Sequence, residues 1–181
     1  MKKLFITSIA VGILALIGAG FWLAKKPHQT SFNQASLPVL AINSINFLGE
    51  KGENVILNNE EIRLKTSIFN DNQARFYNVK MPASLAGGPL GKTIYFFVVK
   101  DRNGIYRAAA NACAVCFKTY KGFHQEGNEI VCNNCGNRYP VERIATEKGG
   151  CNPGPINPNL EVENGEIIVK KADLEQVSNL F

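Results

Sequence analysis

A mostly β, antiparallel domain behind a single N-terminal membrane helix is the fold class this sequence predicts. Three observations carry it. Residues Leu4 to Ala24, "LFITSIAVGILALIGAGFWLA", form an uncharged apolar run. From about Val39 the texture changes to short apolar runs separated by turns. The five cysteines all fall between Cys113 and Cys151, as two Cys-x-x-Cys pairs and one single residue, with the pairs placed where hairpins should turn.

The apolar run comes first in the chain. At a 1.5 Å rise per residue, a helix over Leu4–Ala24 spans roughly 30 Å, the thickness of the hydrocarbon core. Phe21 and Trp22 stand where interfacial aromatics belong, just before Lys25 and Lys26. The alternative is a cleaved signal, whose apolar region runs about 7–15 residues and ends in a small-x-small site. This run is longer, and "GAG" at Gly18–Gly20 fits such a site only loosely. No cysteine follows it closely, so lipid attachment has no acceptor. Lys2 and Lys3 on one side nearly balance Lys25 and Lys26 on the other. A three-residue head inside and a large exported domain is the usual outcome for such a leader. The expectation is therefore an anchor over 1–26, a polar tether over 27–38 and a domain over 39–181, single-pass and facing outward.

With the four flanking lysines set aside, the remaining Lys and Arg nearly balance the 15 acids. Nucleic-acid binding needs clustered basic charge, and the sequence holds no such cluster.

Within the domain, "EIRLKTSIF" alternates Ile62, Leu64, Thr66 and Ile68 against polar neighbours, the period of a half-buried strand. "NDNQ" at 70–73 is a turn, and "ARFYNVKM" a second strand. "MPASLAGGPLGK" is a loop; its Gly91-Lys92-Thr93 matches only the end of a phosphate-binding motif and is followed by a strand. "TIYFFVV" at 93–99 is a buried strand. "KDRNG" turns the chain, and "IYRAAA" returns to deliver Cys113. "LEVENGEIIV" is a hairpin with Asn164-Gly165 suited to a type I′ turn, and "KKADLEQVSNLF" closes the chain as a short helix.

The cysteines carry the chemistry. Structural disulfides spread their cysteines to close long loops, whereas a Cys-x-x-Cys pair bridged to itself closes a very small ring, and five leaves one over. A metal explains the spacing better: each Cys-x-x-Cys converges two sulfurs on one ion, and two such knuckles supply four thiolates. Gly136, after Cys135, lets the chain turn back, and the fifteen residues between the pairs suffice for one hairpin, with "EGN" as its turn. Covalent haem is disfavoured, because Phe117 and Gly136 occupy the positions where histidine is needed. Thioredoxin-like thiol–disulfide exchange uses a single pair at a helix start, a weaker fit. Zinc and iron both accept four thiolates, so spacing leaves that choice open. His124, mid-hairpin in "GFHQEG", reads as a surface residue, and Tyr139 as packing beside the site. No acid–base pair or nucleophile–histidine arrangement points to an independent enzyme.

"ACAVC", "KGFHQEGNEIVCNNCGNRYPVERI" and "KGGCNPGP" together resemble the FtrD-like family of bacterial membrane iron–sulfur proteins, over roughly Arg75 to Val169. The resemblance implies an iron–sulfur cluster, [2Fe–2S] or [4Fe–4S], held by Cys113, Cys116, Cys132 and Cys135. Cys151, in Gly-Gly-Cys-Asn-Pro, is a further candidate: a spare ligand, a reactive thiol, or a buried small residue. It implies a one-electron carrier in the bacterial inner membrane, its domain periplasmic, with a redox partner or a ferrous-iron permease in the same membrane. The layout is also similar to a Rieske domain, with cysteines at both histidine positions; that exchange makes a cluster more negative and lowers its potential. One feature favours zinc as the alternative, in a structural zinc-ribbon-like module. Preformed clusters leave the cytoplasm folded by the twin-arginine route, and this leader has Lys2-Lys3 and no arginine pair.

Overall fold

The computed structural model describes residues 46–82 and 91–181. The apolar run 4–24, the tether and the glycine-rich part of the 81–92 loop lie outside them. Among the described residues the elements are β1 (Glu53–Asn54), β2 (Glu61–Lys65), β3 (Arg75–Lys80), β4 (Thr93–Lys100), β5 (Tyr106–Cys113), β6 (Phe123–Glu126), β7 (Glu129–Cys132), β8 (Arg138–Pro140), β9 (Pro153–Asn157), β10 (Glu161–Glu163), β11 (Glu166–Lys170) and one short helix, α1 (Lys171–Glu175). None of the described helices is long and apolar enough to cross a membrane.

The absence of alternation in "TIYFFVV" has a simple cause. β4 lies at the centre of a five-stranded sheet, ordered β1-β3-β4-β5-β9, and both its faces are covered. Ile94, Phe96 and Val98 point to one core, whose far wall is the sheet β10-β11-β2 through Ile62, Leu64, Ile167 and Val169. Phe97 and Val99 point to a second core, walled by Phe123 and Ile130 of the small sheet β6-β7-β8. Phe96 and Phe97 are fully buried on opposite faces, each burial worth about 1.5–3 kcal/mol. The same parity governs β5. Ala108, Ala110 and Ala112 join the first core, and Ala109 and Cys113 the second. A strand period of two thus decides that Cys113 faces the small sheet.

Other expectations are met in detail. The 70–73 turn, the β4–β5 hairpin and the closing helix form as read. Asn164 and Gly165 both take positive φ, 51° and 79°, as a type I′ turn requires. Three are corrected. β2 ends at Lys65, and Thr66 to Phe69 form a 3-10 turn, so Thr66 and Ile68 leave the expected strand. Ile68 is 40% exposed, while Phe69, its neighbour, is fully buried. The ladder closes there because Thr66 donates both its amide and its hydroxyl to the Gly165 carbonyl. The domain is also not wholly antiparallel, since β1 pairs with β3 in parallel. The third correction concerns the first cysteine pair and is given below.

The β1–β3 contact rests on a backbone crossing at Gly52. A Cβ there would lie 1.9 Å from the Phe76 carbonyl oxygen, and φ is +66°. A backbone oxygen cannot swing aside as a side chain does. Gly52→Ala is expected to lower stability by at least about 2 kcal/mol, combining positive-φ strain with overpacking. Chemical denaturation of wild type and variant measures it.

Candidate metal centre

Three chain segments bring the cysteines together. The first is the end of β5. Cys113 is its last residue and is buried. The chain then turns over exposed Ala114 and Val115, and the Cys116 amide donates to Cys113 Sγ at 3.1 Å. The Thr119 amide and hydroxyl both donate to the Cys116 carbonyl, at 3.0 and 2.8 Å, closing a 3-10 turn. This pair is not at a hairpin tip, as the sequence reading had it. β5 pairs with β4 and β9, and β6 pairs with β7 in a different sheet, so the first knuckle is a crossover between sheets.

The second segment is the β7–β8 hairpin, which meets the expectation. Cys132 ends β7, its amide donates to the Asn137 carbonyl, and the Gly136 amide returns to the Cys132 carbonyl at 2.9 Å. Gly136 has φ +74°, the left-handed conformation this return needs. The backbone amides of Asn134 and Cys135 bear on the Cys132 thiol, and that of Asn137 on the Cys135 thiol. The third segment is the start of β9. Pro153 pairs with Cys113, which sets Cys151 beside the first knuckle.

All five cysteines are free thiols. Their sulfurs form two groups, in each of which every sulfur lies within 4.8 Å of the others: Cys113, Cys116 and Cys132, and Cys116, Cys135 and Cys151. Cys116 belongs to both. The groups differ in exposure. Cys113 and Cys132 are buried, Cys116 and Cys151 half-buried, and Cys135 exposed. The centre thus has an inner pair, set among Phe123, Ile130, Val141 and Ile144, and an outer rim that meets solvent.

The thiols are electrostatically unequal. Burial pushes the Cys132 thiol above its ordinary range, with the amides of Cys135 and Asn134 partly offsetting it. The amide of Asn137 pulls Cys135 below that range. Cys151 is pushed up to about 12, first because it hydrogen-bonds with Cys135 and then by its own burial. Amide N–H groups near sulfur stabilise negative charge without adding a cation.

The remaining candidates fall outside the donor set. His124 Nδ1 meets Asn133 Oδ1 at 2.5 Å, and Nε2 meets Glu126 Oε1 at 2.8 Å. Both ring nitrogens are thus engaged away from the sulfurs, and through Asn133 the ring braces the second knuckle. Tyr139 packs beside the site, edge-on to Phe123 with centroids 6.4 Å apart. Two contributors were not anticipated. Asn134 Nδ2 donates to Cys116 Sγ at 3.4 Å, linking the two knuckles. Fully buried Asn111 accepts from the Phe123 amide at 2.7 Å and donates to the Glu50 carbonyl at 2.8 Å, fixing where β6 begins. A lone asparagine inside "AAANAC" was the available signal.

Among the described residues neither group includes a histidine or a carboxylate. An all-thiol donor set fits iron–sulfur clusters and zinc and does not fit hard cations such as calcium or magnesium. The fold is that of a β-sheet protein with a group of five cysteines, able to hold a metal, where two sheets meet. The chain belongs to the FtrD-like family: the model described as membrane iron-sulfur containing protein FtrD-like matches residues 69–181, which include every cysteine. No curated protein and no solved structure matches the chain.

Proposed function

We propose that this protein is a membrane-anchored iron–sulfur protein that carries single electrons, working with a ferrous-iron permease system in the bacterial inner membrane. Residues 4–24 anchor it, 27–38 tether it, and the domain over 39–181 faces the periplasm. Cys113 and Cys132 hold the inner side of the cluster, and Cys116 and Cys135 the outer side, in a Rieske-like layout. The observation that carries this reading is the graded burial of the sulfurs. An inner pair in an apolar wall excludes water, and the exposed sulfur of Cys135 brings the centre to the surface where a partner can reach it. When bound, the cluster supplies the redox change, and the chain's part is to hold and tune it. The Cys116 amide on Cys113 Sγ and the Asn134 side-chain amide on Cys116 Sγ favour the more negative state and raise the potential relative to a centre without them.

A second reading has its own support. Thiolates on one tetrahedral ion with bonds of about 2.3 Å stand about 3.8 Å apart, and Cys116 Sγ and Cys151 Sγ stand 3.9 Å apart. That spacing suits two ligands on one tetrahedral ion, a structural zinc among the ions that fit. One measurement separates the two. The protein expressed anaerobically is expected to be brown, with visible charge-transfer absorption and an EPR signal on reduction. A colourless protein with stoichiometric zinc and no EPR signal sinks the electron-carrier reading.

A further inference from the structure

The four-cysteine ligand set leaves one thiol over, and its placement is specific. Cys116 Sγ and Cys151 Sγ are 3.9 Å apart, and both lie within 4.8 Å of Cys135 Sγ. The turn carrying Cys151 is built to hold it there. Asn152 donates from both its amide and its side chain to the Gly149 carbonyl, at 3.3 and 3.2 Å, and two residues after the cysteine Pro153 joins the ladder opposite Cys113. The inner pair has no comparable reserve. Cys113 and Cys132 share a group only with each other and Cys116.

Resting on the reading of this group as a metal centre, we propose that Cys151 is an exchangeable ligand of the outer metal position, interchangeable with Cys116. In a two-metal centre with Cys113 and Cys132 on the inner metal and Cys135 on the outer, either sulfur completes the outer pair. In the exchange the metal–Cys116 bond breaks and a metal–Cys151 bond forms, while the proton on Cys151 Sγ passes to Cys116 Sγ. No electron moves, and the number of thiolates on the centre is unchanged. The outer ligand can thus be replaced without release of the metal.

The test uses the full-length chain in detergent, as wild type, Cys116→Ser, Cys151→Ser and the double variant. Each is loaded with ferrous iron and sulfide, and the wild type with zinc as well. Metal and sulfide per chain are counted, and the cysteines open to iodoacetamide are mapped by mass spectrometry. Each single variant is expected to keep most of the wild-type metal, while the double variant loses affinity by more than roughly tenfold. Cys151 is expected to become protected from alkylation in loaded Cys116→Ser, a change that a bystander thiol does not undergo. A Cys116→Ser variant as empty as the double variant overturns the inference and leaves the metal centre standing. So does a double variant that loads fully, or Cys151 alkylated in loaded Cys116→Ser. A wild-type chain that takes neither iron and sulfide nor zinc overturns the metal reading and this inference together.

Discussion

Cys132→Ser is expected to empty the metal centre while leaving the fold in place. Cys132 is 3% exposed and sits at the end of β7, where its amide donates to the Asn137 carbonyl and its carbonyl accepts the Gly136 amide. Both are backbone bonds that serine keeps, so the hairpin holds around the new hydroxyl. It is a hard, weakly acidic oxygen, however, and a soft metal site loses most of its affinity when a thiolate is exchanged for it. No fifth sulfur can substitute on this side, because Cys151 belongs only to the outer group. Metal content is expected to fall more than roughly tenfold, with far-UV circular dichroism unchanged. Full occupancy in the variant would remove Cys132 from the ligand set, whichever metal is bound.

The contrast between inner and outer cysteines also marks what could be read from the sequence. The second knuckle was legible, because its parts are local. Cys132, Cys135, Gly136 and the "EGN" turn of the preceding hairpin lie within a few residues of one another, and the left-handed glycine at the return is a property of one position. The buried strand at 93–99 and the Asn164-Gly165 turn were legible for the same reason. The first knuckle was misplaced, because its geometry depends on a partner far along the chain. β5 takes β9 as its second neighbour, and no residue near Cys113 announces that. The same pairing brings Cys151 to the centre, so the role of the fifth cysteine was open for the same physical reason. The misreading of Thr66 and Ile68 has a different origin. Alternation continued past the strand's end by coincidence of composition, and the long-range bonds from Thr66 to Gly165 ended the strand earlier.

Asp101 is a second long-range feature hidden in a local motif. "KDRNG" reads only as a turn, yet Asp101 is 1% exposed and Arg107 7% exposed. Asp101 Oδ1 accepts the amides of Asn103 and Ile105, both at 2.9 Å, and Oδ2 accepts Arg107 Nε and Nη2 at 3.1 and 2.9 Å. The third guanidinium nitrogen, Nη1, donates to the Pro158 carbonyl at 3.0 Å, tying the hairpin to the end of β9. Every polar atom of the carboxylate is thus paired, which is the condition under which a buried ion pair is tolerated. Asp101→Ala leaves Arg107 charged and buried without its counter-ion and strips two turn amides of their acceptor. The expected loss is about 3–5 kcal/mol in urea denaturation.

The pH dependence follows with a definite sign. Burial works against the Asp101 carboxylate, but the Ile105 amide, the Arg107 guanidinium and the Asn103 amide outweigh it and hold its pKa below the ordinary 3.8. A group depressed on folding contributes stability that is fully present above its unfolded value and is lost as pH falls through its folded value. Wild type is therefore expected to lose stability as pH drops below about 4, while Asp101→Asn, which keeps the shape without a titrating carboxyl, starts lower and falls less over the same range. Asp71 and Glu126 are also depressed, by Arg75 and by His124, but they sit at the surface where solvent screens them. Parallel wild-type and Asp101→Asn stability curves between pH 2 and 5 would show that the acid sensitivity arises elsewhere.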